Sequence, residues 1–368
     1  MNFIDLATQQ KRVRSEIMGR IETILDHGKY IMGPEVKELE NELAKYVGVK
    51  HAISCSSGTD ALLMALMALE IGKGDAVITT PFTFVATAEV INIVGATPIF
   101  IDIDPKTYNI DPAKIADAIN EAKKKGLNPK AIIPVDLFGL PADYDTIEEI
   151  SKEHGLKVIE DACQGFGGEY KGKKLCSFGE FAATSFFPAK PLGCYGDGGA
   201  VFTNDDTLAD IARSIRVHGS GSDKYDNVRI GLNGRMDTIQ AGILLPKLSI
   251  FPDEVDKRQE VAKKYSAGLK DTVVVPHIPD GMRSAWAQYS VLSDRKVEIQ
   301  TKLKETGIPT AVYYPIPLHM QTAYKYLGYS KGDMPESEAA AERIFSLPMH
   351  PYLTDEDIGK VVNAIKEA

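Results

Sequence analysis

The sequence predicts an α/β fold, with a large domain built on a mostly parallel mixed sheet and a smaller α+β domain at its C-terminal end. Three observations point there. Short apolar runs alternate with helical patterns up to about Thr203, as βαβ units feeding a parallel sheet require. A polar, Gly-rich stretch from Arg216 to Arg235 then breaks the alternation. At 368 residues the chain also exceeds what one hydrophobic core usually serves.

Taken in order, Val13, Ile17, Ile21 and Ile24 form a helical stripe within Arg12 to His27, and Gly33-Pro34 opens a second helix carrying Val36, Leu39, Leu43 and Val47. His51 to Cys55 reads as a strand, ends in Ser56-Ser57-Gly58-Thr59-Asp60, and passes into an apolar helix from Ala61 to Leu69. Further strands are expected at Ala76–Thr79, Pro98–Ile103, Ala131–Val135, Leu156–Asp161, Phe178–Phe186 and Gly199–Thr203. Helices are expected at Ala86–Val94, from an Asp111 cap to about Ala122, and at Tyr144–His154. Met236 to Tyr265 reads as helix interrupted near Pro246 and Phe251-Pro252, and the domain change is placed there, dividing the chain into 1–248 and 249–368. Beyond it, Asp271–Val275, Trp286–Ser293 and Thr310–Tyr314 look like strands. Val297–Glu305, Ser337–Phe345 and Asp355–Lys366 look helical, the last opened by a Thr354/Asp357 capping box.

A formal charge of −9 argues against a general nucleic-acid binder. No apolar run is long enough for a membrane span, and Met1 to Met18 lacks the apolar stretch of a signal peptide. Four scattered cysteines without a CxxC suit a reduced, cytoplasmic setting, and the seven histidines show no metal-ligand spacing.

One lysine is unusual. Lys190 lies between Pro188 and Pro191 in a small, apolar, Gly-rich stretch, where neither helix nor central strand runs cleanly. A poorly solvated lysine has a lowered pKa, and a neutral amine can attack a carbonyl, so Lys190 is a candidate Schiff-base nucleophile; the alternative is a solvated loop lysine. A pyridoxal phosphate site needs such a lysine, a carboxylate for the pyridine nitrogen, a phosphate cup and a face for the ring. Asp161 ends an expected strand, Ser57-Gly58-Thr59 opens a helix, Ser185 precedes the lysine, and Phe84 follows another strand. Taken alone, the Ser57–Thr59 turn is explained by plain helix capping without a ligand.

The resemblance is more specific. GTDALLMAL (58–66), PFTFVATAEV (81–90), VIEDACQGFG (158–167), SFFPAKPLGCYGDGGAVFTND (185–205), LNGRMDTIQAGIL (232–244), YYPIPLHMQ (313–321) and the opening MNFIDL resemble the DegT/DnrJ/StrS family of sugar-nucleotide aminotransferases. That resemblance implies the aspartate aminotransferase type I fold and pyridoxal 5′-phosphate as cofactor. It implies Lys190 as the Schiff-base lysine and proton carrier, Asp161 on the pyridine nitrogen and Gln164 on the phenolic oxygen. It also implies Gly58, Thr59 and Ser185 on the phosphate, Phe84 stacked on the ring, and Asn233 reaching the cofactor of the other subunit in an obligate homodimer. Arg235, Tyr314 and His319 would line the sugar-nucleotide site, with a structural loop histidine as the alternative for His319. The implied reaction is a ping-pong transamination from glutamate to a nucleotide-linked keto-sugar. Relatives that aminate C3 of a UDP-linked 2-acetamido-3-oxo-hexuronate for O-antigen-type polysaccharides are the most similar; 3- or 4-keto deoxyhexoses on dTDP, UDP or GDP are the alternative. A dehydratase of this family would carry histidine in place of Lys190, and a non-enzymatic regulator would not need the Lys190, Asp161 and Gln164 set.

Overall fold

The computed structural model of the chain describes residues 1–223 and 225–368. Helices α1 (Leu6–His27) and α2 (Pro34–Val47) come first. Strand β1 (His51–Cys55) leads into α3 (Gly58–Ala68), β2 (Asp75–Thr79) into α4 (Ala86–Ile93), β3 (Thr97–Phe100) into α5 (Ile115–Lys124), and β4 (Asn128–Ile132) into α6 (Tyr144–His154). After β5 (Lys157–Asp161) comes a small hairpin, β6 (Glu169–Tyr170) and β7 (Lys173–Lys174), then β8 (Phe181–Ser185), β9 (Gly199–Thr203) and α7 (Asp206–Ile215). Helix α8 (Thr238–Leu269) is followed by β10 (Met282–Arg283), β11 (Tyr289–Leu292), α9 (Lys296–Glu305), α10 (Pro335–Arg343), β12 (Ile344–Leu347) and α11 (Asp355–Lys366).

Seven strands form one sheet in the order β1-β9-β8-β5-β4-β2-β3. Only β9 runs against the rest; the β8-β5-β4-β2-β3 ladder is parallel throughout. Both faces are buried, because neighbouring residues on a strand enter opposite cores. Ile78, Ala182 and Phe202 pack beneath α2, α5, α6 and the first half of α8, whereas Val77, Ala183 and Val201 pack beneath α3, α4 and α7. A third core joins the second half of α8 to α9, α11 and the β11–β12 pair.

Several expectations shift. The first helix begins at Leu6, where the Asp5 carboxylate accepts from Thr8 N at 3.1 Å, rather than at Arg12. Strand β4 starts earlier than expected and stops at Ile132; Pro134 has no N–H to continue the ladder, and Val135 makes only an isolated bridge to Asp161. The expected break at Pro246 and Phe251-Pro252 does not occur. α8 runs straight through both prolines, its buried face held against α1 and α2, and it spans the 248/249 division. Thr310–Tyr314 and Asp271–Val275 contribute only single bridges, and Ile344–Phe345, read as helix, belong to β12. The Thr354/Asp357 capping box is present. Among the described residues no helix is long and apolar enough to cross a membrane, no cluster of His, Cys, Asp or Glu could hold a metal ion, and the four cysteines are unpaired.

Candidate active site

The C-terminal ends of β5 and β8 are neighbours, since Asp161 pairs in register with Ala183, two residues before Ser185. Ligands of open α/β sheets bind at such strand ends. From Ser185 the chain makes a closed loop before β9. Phe186 N donates to Gly198 O at 2.7 Å, Cys194 N to Phe186 O at 2.8 Å, and Lys190 N to Phe187 O at 2.8 Å. Lys190 is held at the tip of this loop. Its side chain is half-buried and makes no hydrogen bond or ion pair among the described residues. Desolvation lowers its pKa below the usual lysine value of 10.5, with Cys163 and Asp161 opposing.

Asp161 is buried, and both carboxylate oxygens are held. Thr87 Oγ1 donates to Oδ2 at 2.8 Å and Cys163 N to Oδ1 at 3.2 Å. The Thr87 hydroxyl in turn lies 3.0 Å from that of Thr83, in the turn that precedes α4. Burial pushes the Cys163 thiol well up, with Asp161 adding to the effect, so the thiol stays protonated beside the lysine.

Gln164 is buried and spanned by two contacts. Its Oε1 accepts from Phe138 N at 2.7 Å, and its Nε2 donates to Tyr314 Oη at 2.9 Å, which leaves one amide N–H and the Tyr314 O–H for a ligand. Burial raises the Tyr314 pKa, so the phenol remains a donor. Its ring sits 6.4 Å from both Phe82 and Phe84, and Phe84 presents an exposed face (54 %).

At α3, Ser57 Oγ caps the helix by accepting from Asp60 N at 3.0 Å, as the capping reading expects. The Gly58 and Thr59 N–H groups remain as first-turn donors. This turn abuts Ser185: a Cβ on Gly58 would lie 2.7 Å from Ser185 Cβ and 2.9 Å from Cys163 Sγ. The 233–235 segment joins the same place, because Ser56 N donates to Gly234 O at 3.0 Å. Asn233 is exposed there, and Arg235 is half-buried with its Nε enclosed and unpaired among the described residues.

His319 stands somewhat apart. It is buried (1 %), its Nε2 lies 3.0 Å from Glu338 Oε1, and only a buried, unpartnered Nδ1 remains. Its turn docks beside Phe82 through Leu318 N donating to Pro81 O at 2.8 Å.

The residues present fit pyridoxal phosphate: an unpaired amine, an oriented buried carboxylate, a helix N-terminus that only glycine lets approach Ser185, and an exposed aromatic face. Residues 11–366 match the model of the DegT/DnrJ/EryC1/StrS aminotransferase family. The chain belongs to that family. It is similar to the UDP-2-acetamido-2-deoxy-3-oxo-D-glucuronate aminotransferase of Pseudomonas aeruginosa, at 50% identity over 366 residues covering 99% of each chain. Its structure is similar to that of a DegT/DnrJ/EryC1/StrS aminotransferase from Brucella abortus, with a TM-score of 0.97 and 51% identity over 100% of this chain and 99% of that one. NtdA from Bacillus subtilis, solved with bound cofactor PMP, has a TM-score of 0.88 and 31% identity over 99% of this chain and 82% of that one.

Within this aminotransferase, sequence reasoning misses Thr87 and the Phe138 amide. The two threonines of PFTFVAT, one in the turn after a strand end and one in the first turn of α4, were the available signal for the first. A backbone donor to Gln164 leaves no trace in residue identity.

Proposed function

We propose that this chain is a pyridoxal-phosphate-dependent aminotransferase that carries an amino group from glutamate to C3 of a UDP-linked 2-acetamido-3-oxo-hexuronate, in the supply of amino sugars for O-antigen-type polysaccharides. The observation that carries the proposal is the unpaired Lys190 amine, held on a closed loop within electrostatic reach of Cys163 and Asp161. When bound, the cofactor supplies an electron sink and a carrier for the amino group. Asp161, oriented by Thr87 and Cys163 N, would face the pyridine nitrogen. Gln164 and Tyr314 would offer donors to the ring oxygen; Gly58, Thr59 and Ser185 would hold the phosphate; and Phe84 would cover one face. Lys190 Nζ takes the proton from the donor's α-carbon, help worth about 10²- to 10⁴-fold.

Arg235, half-buried with its Nε unpaired among the described residues, would be the partner for the uronate carboxylate, with Tyr314 and His319 as further sugar-site residues. A homodimer is part of the proposal. Exposed Ile93 and Ile230 border an apolar surface cavity of about 580 Å³ lined also by Leu63, Met67 and Ile211, and the exposed Asn233 would reach the neighbouring site. Residues 1–248 would form the cofactor-binding domain and 249–368 the smaller one, in a cytoplasmic enzyme whose cysteines are unpaired.

The test separates the two half-reactions. The pyridoxamine-loaded enzyme should aminate the UDP-3-oxo-uronate. R235A should raise KM for that sugar by roughly tenfold or more, the worth of a charge-assisted pair, while leaving the glutamate half-reaction nearly unchanged. Equal damage to both halves, or a preference for a keto-deoxyhexose lacking the carboxylate, would overturn this assignment.

A further inference from the structure

Lys247 is a fully buried lysine (0 %) with no carboxylate at ion-pair distance among the described residues. Such a placement is uncommon, because desolvation opposes the charge; here burial pushes the ammonium down to about 8, with Glu254 and Cys194 opposing. Its Nζ donates to Gly193 O and sits 4.8 Å from the centre of the Tyr195 ring. One face of the same helix carries Gln240, two turns earlier. Its Oε1 accepts from Tyr195 N at 2.9 Å and its Nε2 donates to Tyr195 O at 3.4 Å. Leu244, between them on that face, packs in the main core.

These contacts all fall on Gly193 and Tyr195, three and five residues after Lys190. Gly193 itself is pressed against the other side of the loop: a Cβ there would lie 2.6 Å from both Phe187 O and Pro188 O. A shift of Gly193 would therefore push on the residues that precede Lys190. We infer that Lys247 and Gln240 are positioning residues, a clamp on α8 that grips the return limb of the Lys190 loop and so fixes where the amine stands. The inference rests on Lys190 being the cofactor-bearing lysine only for its catalytic consequence; the clamp itself can be measured without cofactor.

The experiment compares wild type, K247M, K247R and Q240L as apoproteins by amide hydrogen exchange, then by pyridoxal phosphate titration. K247M should speed exchange in peptides covering 186–198 by roughly tenfold or more, with the β2–β5 peptides unchanged. Its affinity for pyridoxal phosphate should fall by a similar factor, and K247R, which retains donors, should recover part of both. Q240L should loosen the same peptides, and it gives the reading should K247M fail to fold. Unchanged exchange in 186–198, or a uniform rise across the whole fold, would overturn the clamp. Loosened exchange with unaltered pyridoxal phosphate affinity would uphold the clamp and instead count against Lys190 as the cofactor-bearing lysine.

Discussion

Gly58→Ala tests whether the α3 N-terminus is the phosphate cup. The added Cβ would stand 2.7 Å from Ser185 Cβ, 2.9 Å from Cys163 Sγ and 3.2 Å from Ser185 Cα. The first of these is about 1 Å inside ordinary carbon–carbon contact, and a Cβ, fixed by its own backbone, cannot rotate aside. Either α3 backs away from β8 or the β8 end moves. Overpacking of this kind costs about 1–3 kcal/mol, which for a chain of 368 residues is a fall of about 1–4 °C in Tm. The larger effect should be on binding. Losing one charge-assisted hydrogen bond between an N–H and phosphate removes about 1.5–3 kcal/mol, or roughly a ten- to hundredfold rise in Kd. Titration of apoprotein with pyridoxal phosphate measures it. Gly19→Ala serves as the control, since nothing lies within 4 Å of its Cβ and it should stabilise α1 slightly. A G58A protein that loses stability but binds pyridoxal phosphate like wild type would refute the phosphate cup at α3.

Three further outcomes are expected. Thr87→Val removes the hydroxyl that donates to Asp161 Oδ2, so apoprotein stability should fall by about 1–3 kcal/mol in thermal or urea unfolding, and Thr87→Ser should restore most of it. The Lys190 amine, its pKa lowered by burial, should capture pyridoxal phosphate with a rate that rises with pH and levels off below 10.5; D161N removes an opposing charge and should move that plateau to lower pH, which stopped-flow absorbance would show. Burial raises the Asp136 carboxyl from 3.8 to about 7, and its neighbour Glu160 is raised as well. The folded state thus holds protons that the unfolded chain releases. The contribution is complete below about pH 4 and is lost as pH rises through 7, with an upper bound of about 4 kcal/mol for Asp136. D136N keeps an acceptor for Ala142 N and Tyr144 Oη, so its Tm should gain on wild type between pH 4 and pH 8; parallel curves would count against the shift.

The parts of the site legible in the sequence are those set by local chemistry. Lys190 between prolines, Asp161 at a strand end and Gly58 at a strand-to-helix junction each follow from a short window of residues. What was not legible spans the chain. Thr87 meets Asp161 across 74 positions and Gln164 meets Tyr314 across 150, and no periodicity encodes such pairs. The misread elements have equally physical causes. α8 continues through Pro246 and Pro252 because tertiary packing of its buried face outweighs two lost backbone hydrogen bonds. β12 is buried at all four residues, so it shows no alternation to separate it from the preceding helix.

The long-range contacts also divide the site by task. The residues proposed to hold the cofactor lie at or just beyond strand ends of one sheet, where displacement is resisted by two cores. The segment carrying Tyr314 and His319 is attached differently. It is pinned to the sheet at Pro81 O, at the Gln164–Tyr314 contact, and through Asp102, whose carboxylate accepts from Glu336 N at 2.8 Å and from Ser337 N at 2.9 Å to cap α10. Between these anchors the backbone of 313–330 has no sheet pairing among the described residues, so its side chains can change without disturbing the ladder. On the proposed reading, such a scaffold would keep Lys190 and Asp161 constant while the Tyr313–Gln321 loop selects the sugar. Exchanging that loop with a relative of different sugar preference should therefore move KM for the sugar and leave the glutamate half-reaction intact.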